Sequence, residues 1–213
     1  MYLVVRLLLL VAFAVSSVSA ALLTSAGSGT LEDLSSRAGI GYGFTSGPVT
    51  LPSGIIFTSS ENAVLGSGFY GLDANGDWFG GSWYYMGLDA EEGWMRLELP
   101  TLVSEFTMFV NYDPGLDFNP MIVALDASMN VLESYDLSVS APISTPGGEN
   151  AGAYRGIFRA EGDIKYIELR NALIVAKDIR FLEVESEVPE PNSMALLSIG
   201  ALGGLLLRRR RVH

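Results

Sequence analysis

Apolar and polar residues alternate strictly through residues 94–99. Met95, Leu97 and Leu99 fall on one side, Arg96 and Glu98 on the other. That period of two predicts a strand with one buried face. Residues 103–111 are apolar at both parities, which predicts a strand covered on two sides, as at the centre of a sandwich. Residues 121–126 and 131–137 flank a four-residue loop at 127–130 and predict a hairpin. Further strands are expected at 54–59, 63–65, 68–72, 154–160, 164–169 and 174–184, separated by Gly, Pro, Asn and Asp. The body never holds a 3.6-residue apolar period over three turns. The expected fold class is therefore all-β: a jelly-roll-like β-sandwich.

The two ends follow a different pattern. Sixteen of the first twenty residues are apolar. Arg6 precedes the uninterrupted apolar run 7–15, and Val18-Ser19-Ala20 places small residues at the −3 and −1 positions of a signal peptidase site. Residues 1–20 read as a secretory signal peptide. At the other end, Pro189-Glu190-Pro191 precedes a 14-residue apolar stretch at 194–207, followed by Arg208, Arg209, Arg210 and Arg211. As a helix the stretch spans about 21 Å. That is short of a ~30 Å hydrocarbon core, which snorkelling arginines and local thinning offset. Four arginines directly after an apolar stretch form a cytoplasmic stop-transfer signal. The organisation expected is a signal peptide at 1–20, an extracellular sandwich at 21–187 and a sorting segment with a transmembrane helix at 188–213.

The order of Pro-Glu-Pro, hydrophobic helix and arginine cluster resembles the PEP-CTERM sorting signal. The resemblance implies processing near Pro191 by the membrane enzyme exosortase. It also implies transient residence in the inner membrane, then release or transfer to the surface of a cell that makes extracellular polysaccharide. The body is similar to the extracellular β-sandwich domains found ahead of such tails. The stretches that carry this likeness are Leu51-Pro52-Ser53-Gly54-Ile55-Ile56-Phe57, residues 123–132, Tyr154-Arg155-Gly156-Ile157-Phe158 and residues 164–181. Strand patterns of this kind specify fold rather than activity.

Composition narrows the chemistry. The 213 residues contain no cysteine and one histidine, His213. This excludes a disulfide scaffold, a thiolate metal site, a cysteine nucleophile and a histidine-based triad. Lys+Arg 13 against Asp+Glu 24 gives a net charge of −11, and residues 21–187 alone carry −15. Such a balance disfavours nucleic acid as a partner.

Four groups of residues remain as candidate sites. Asp73, Asn75 and Asp77 have the i, i+2, i+4 oxygen spacing of a calcium loop. The pattern departs at Trp78, where Gly is usual, and at Tyr84, where Glu is usual; Asn75-Gly76 is equally a hairpin turn signal. The resemblance to carbohydrate-binding jelly rolls implies a second structural calcium site, at which Glu32 and Asp33 meet Asp178. Trp78, Trp83, Tyr84, Tyr85 and Trp94 concentrate aromatic faces beside Asp77 and Asp89, a composition suited to stacking on sugar rings. Six of the eight body cations, Arg155, Arg159, Lys165, Arg170, Lys177 and Arg180, lie close in sequence and would form a basic face for an anionic polymer if aligned. No cofactor is expected beyond calcium at these positions.

The resulting expectation is an exported, non-enzymatic structural or adhesive protein of an extracellular polysaccharide matrix. The alternative is a specific carbohydrate-binding module using the 78–94 aromatics. A remote third reading, a secreted glycoside hydrolase, rests only on the abundance of carboxylates.

Overall fold

Alternation becomes pairing in the computed structural model, which describes residues 20–37, 43–80 and 83–184. Met1–Glu183 is one compact unit and Val184–His213 another, of which only Val184 is described. The sorting residues Pro189, Glu190 and Pro191, the arginines 208–211 and signal residues 1–19 lie outside the described residues. Among the described residues no helix is long and apolar enough to cross a membrane.

Fifteen strands are seen among these residues. The first five are β1 (Ala20–Leu23), β2 (Thr30–Glu32), β3 (Phe44–Thr45), β4 (Val49–Thr50) and β5 (Ile56–Ser59). Then come β6 (Ala63–Gly66), β7 (Tyr70–Gly71), β8 (Asp77–Trp78), β9 (Tyr85–Leu88) and β10 (Trp94–Asn111). The last are β11 (Met121–Leu125), β12 (Val131–Asp136), β13 (Ala153–Arg159), β14 (Ile164–Arg170) and β15 (Val175–Glu183). One short helix, α1 (Leu137–Ser140), follows β12, with Asp136 accepting from the Ser138 N–H as its N-cap.

The fold turns on β10. The strands expected at 94–99 and 103–111 are one 18-residue strand that serves two halves of a folded sheet. Its first half lies between β14 and β5, pairing Leu97 with Ile167 on one side and Phe57 on the other. Its second half lies between β13 and β15, pairing Phe106 with Ile157 and Phe181. Pro100 marks the corner. Proline has no N–H for the ladder, and the register shifts between Glu98 and Val103 against β14. Strands that switch sheets through bends close a sandwich at its corners. The first half continues through β14 to β11 and β12 and through β5 to β4; the second continues through β13 to β1 and through β15 to β2, β9, β6 and β3.

Both halves face one core. Met95, Leu97 and Leu99 enter it from the first half of β10, and Phe106, Met108 and Val110 from the second. The 121–136 hairpin forms as the pattern predicts, with Asp126 Oδ1 accepting from the N–H groups of Ser128 (2.8 Å) and Asn130 (2.9 Å) to close the loop. β1 starts at Ala20, the last residue of the expected signal segment, and pairs with β13 from Ala20↔Arg159 onward.

Candidate functional site

Phe109, on the outer face of the second half of β10, is covered by a second, smaller core. The hairpin β7–β8 lies on that face, its strands paired as Tyr70↔Trp78 and Gly71↔Asp77. Trp78 stacks on Phe109 (centroids 5.9 Å apart, 21° between planes) and meets Trp83 and Tyr85 edge-on. Its Nε1–H donates to Ala151 O at 2.7 Å. The expected exposed platform is therefore corrected for two members: Trp78 and Tyr85 have 0% exposure and are packing residues. Trp94 lies in the other half of the sheet, with the Arg96 guanidinium 4.1 Å over its ring. Of the five aromatics, Trp83 and Tyr84 remain half-buried beside a polar pocket.

The turn between β7 and β8 corrects the first calcium expectation. Asn75 is buried, and its amide organises the structure. Nδ2 donates to Asn111 Oδ1 (2.9 Å) and Tyr112 O (3.0 Å), while Oδ1 accepts from Thr145 N (3.0 Å). An oxygen already bonded to a backbone N–H and turned inward is not offered to a cation. Asp73 is exposed and Asp77 half-buried, and the chain between them is a 3-10 turn whose C-cap is Gly76.

The second acidic group does assemble in part. Antiparallel pairing of β2 with β15 sets Glu32 opposite Ile179. This brings Asp33 and Asp178 to one pocket of about 90 Å³, together with Ser35, Tyr84 and Lys177. Two groups that the sequence reading kept apart, the acids and the aromatics, thus converge here. Glu32 turns away: it is buried, Oε2 accepts from Ser53 N at 2.8 Å, and Oε1 has no hydrogen-bond partner among the described residues. Asp33 accepts from the Ser35 hydroxyl (2.5 Å) and N–H (2.8 Å), which hold its carboxyl below the ordinary carboxylate range and keep it ionised. Asp178 has φ 47°, a left-handed conformation. It lies where the β10–β15 register shifts between Thr107 and Phe109, as at a bulge that re-aims side chains. The Tyr154 hydroxyl lies 3.5 Å from Asp178, and its pKa is raised by burial and by that negative charge.

The cation in this pocket belongs to the protein. Lys177 Nζ lies 3.3 Å from the Trp83 ring centroid and 3.6 Å from Asp178 Oδ2. An ammonium held by a ring quadrupole and a carboxylate supplies the charge a metal would bring. Among the described residues no group of three or more His, Cys, Asp or Glu is placed to hold a metal. The melting temperature should therefore be the same in chelator and in millimolar calcium. A calcium-dependent rise of the size mass action requires would restore a cation to one of the two triads.

The basic face does not form as a free surface. Arg155 is buried and donates to the carbonyls of Ala141, Pro142 and Tyr154. Arg159 pairs with Glu133 (2.7 Å) and Asp163 (2.6 Å). Lys165 reaches Leu99 O and Glu98, and Arg170 pairs with Glu168, which also holds Arg96. With Lys177 committed as above, five of the six cations have local partners. Asp163, Glu168 and Asp178 lie within four residues of the cations they hold, whereas Glu133 for Arg159, Glu98 for Lys165 and the 141–142 carbonyls for Arg155 are brought in by strand register or by a loop fold.

Comparison with known proteins bears on the tail and the body separately. The family model of the PEP-CTERM protein-sorting motif matches residues 187–211, so the chain carries that motif at its C-terminus. No curated protein matches the sequence. Among solved structures, the chain is similar to a point mutant of the lectin binding domain of Lectinolysin complexed with Lewis b. The identity is 11%, with 78% of this chain and 92% of that chain covered and a TM-score of 0.30. The lectin domain of Lectinolysin complexed with Lewis B antigen gives 11% identity, 78% and 93% coverage and a TM-score of 0.29. At such scores the likeness decides neither the fold nor a ligand, and the reading of the site rests on its own geometry.

Proposed function

We propose that this is an exported, non-enzymatic, jelly-roll-like module, cut near Pro191 by exosortase and delivered to the cell surface. There it associates with extracellular polysaccharide through the Asp33–Tyr84–Lys177–Asp178 pocket and the adjoining Trp83. The export half of the reading rests on the sorting motif at 187–211. The binding half rests on the convergence of two carboxylates, a lysine and two aromatic side chains, drawn from three separate stretches of chain, at one pocket. Carboxylates accept sugar hydroxyls, and an aromatic side chain supplies an apolar face with a polar handle. This geometry favours the carbohydrate-binding reading over a purely structural role. Hydrolysis is disfavoured on a separate ground. Among the described residues no group of three or more His, Cys, Asp or Glu is placed to hold a metal, so metal-assisted hydrolysis has no ligand set there.

Two measurements test the halves separately. Mass spectrometry of the native surface fraction should find a mature chain lacking residues 208–213; an intact C-terminus in cells that contain exosortase would remove the sorting claim. A pull-down on purified matrix polysaccharide should retain binding at high salt, since stacking is much less salt-sensitive than ion pairing. Trp83→Ala should weaken it about tenfold, the equivalent of about 1.4 kcal/mol, while Trp94→Ala leaves it unchanged. Binding that disappears in high salt, or that ignores Trp83→Ala, would overturn the pocket.

A further inference from the structure

Beyond the C-terminal end of β10 a groove of about 380 Å³ opens between residues 112–120, residues 138–146 and the 73–75 turn. None of the residues of the pocket described above lines it. Its volume lies within the ~300–1,000 Å³ usual for small-molecule sites. We infer that this groove is a second glycan subsite, selective for neutral sugar residues. The inference rests on the reading of the molecule as a glycan-binding module but uses a separate set of residues.

The groove is built in advance. Its floor is the buried amide network. Asn75 Nδ2 reaches Tyr112 O, the Tyr112 hydroxyl accepts from Ile143 N at 3.1 Å, and Asn111 Nδ2 donates to Thr145 Oγ1 at 3.0 Å. One wall is pinned from behind by Arg155, which donates to Ala141 O (2.9 Å) and Pro142 O (3.0 Å). Pro114, Pro120, Pro142 and Pro146 stiffen both walls. Walls fixed before a ligand arrives lower the ordering cost of binding.

The lining chemistry suits a neutral sugar. Prolines bring no N–H donors; two of the four proline carbonyls, Pro120 O and Pro142 O, already accept from Leu137 N and Arg155, which leaves side-chain oxygens as the acceptors that matter. Asp113 adds a carboxylate that is only 8% exposed, with Oδ1 accepting from Gly115 N at 2.8 Å. The Asp73 carboxylate approaches the same glycine. Phe118 is 36% exposed and offers a ring. No lysine or arginine is among the lining residues. Acceptors without a cation favour a ligand that brings many hydroxyl donors and no negative charge, and an exposed ring beside them suits the apolar face of a sugar. A uronate or sulfated sugar would place its charge near Asp113, with the nearest cation, Arg155, behind the wall and committed to the carbonyls of Ala141 and Pro142.

The test is titration of the full chain with cellohexaose, laminarihexaose, maltohexaose and mannohexaose as neutral probes and with hexagalacturonate as the anionic one. Binding is followed by calorimetry and by saturation transfer to the sugar protons. At least one neutral hexasaccharide should still bind the Trp83→Ala chain. Phe118→Ala and Ser144→Trp, both at exposed positions, should each weaken that binding about tenfold or more without changing the melting temperature. No binding of any neutral probe at millimolar concentration, undiminished binding in both groove variants, or preference for hexagalacturonate through the groove would overturn the inference. Binding abolished by Trp83→Ala and untouched by the groove variants would sink the groove and leave the first pocket standing; the reverse result would sink the first pocket and leave the groove.

Discussion

Trp78→Ala should lower stability by about 4 kcal/mol, within the usual range for removing a large buried aromatic. For a chain of this size that is a fall in melting temperature of roughly 8–16 °C. The reason is the number of elements that meet on one indole. Phe109 lies under its face, Trp83 and Tyr85 meet it edge-on, and Ala151 O takes its N–H. Removing the ring opens a void under the β7–β8 hairpin and loosens the 145–151 loop that the hairpin holds. Trp78→Phe should cost much less. It retains an aromatic face against Phe109, and Ala151 O still accepts from Asn111 Nδ2 at 2.9 Å. Denaturant and thermal melts of the two variants decide the matter. A Trp78→Ala chain with the parental melting temperature and lost glycan binding would return Trp78 to the surface as a stacking residue.

Gly76→Ala should be about as damaging, by a different mechanism. Gly76 has φ 84° and ψ −149°, a combination open almost only to glycine. A Cβ there would lie 2.1 Å from Gly148 O and 2.5 Å from Gly148 N. Both obstructions are backbone atoms, so no change of rotamer relieves them. Strain and clash together should cost at least ~3 kcal/mol. Gly147→Ala is the control: φ is 62° and a Cβ would meet nothing within 4 Å, so only the left-handed penalty of about 1–2 kcal/mol applies. Equal melting curves for the two variants would mean that the 72–76 turn does not rest on the 147–148 loop.

These two positions show where local reading stops. Asn75-Gly76 has the composition of a two-residue hairpin turn, yet the loop from Leu72 to Gly76 is longer. It is closed by Leu72 N to Gly76 O and shaped by what Asn75 bonds across the molecule. The calcium-like spacing of Asp73, Asn75 and Asp77 is real in the sequence. Its middle member is taken by a backbone N–H 70 residues away, at Thr145. The Glu32, Asp33 and Asp178 group fared differently. Asp33 and Asp178 do come together because β2 pairs with β15, but Lys177 stands beside Asp178 as the cation.

Local periodicity by itself determined the longer strands of the body, but not β1 to β4, β8 and β9, which are short and owe their extension to their partners. Side chains alternate across a strand with period two whatever the strand packs against, so Met95, Leu97 and Leu99 are assigned to one face before any partner is known. The same holds for the 121–136 hairpin, while Phe109, apolar on the side opposite Phe106, Met108 and Val110, calls for a second cover. The sorting motif at 187–211 was likewise legible, because such a signal is read by other proteins as linear sequence. The identity of that second cover was decided only by the tertiary structure: the β7–β8 hairpin and the 145–151 loop. It also decided that β10 runs on past Pro100, since a corner strand loses one ladder bond there and keeps neighbours on both sides of it. Above all it decided which aromatics are buried. Trp78 and Trp83 are five residues apart with similar surroundings in sequence, and only the long-range approach of Phe109 and Ala151 to one of them separates a packing residue from one left beside a pocket.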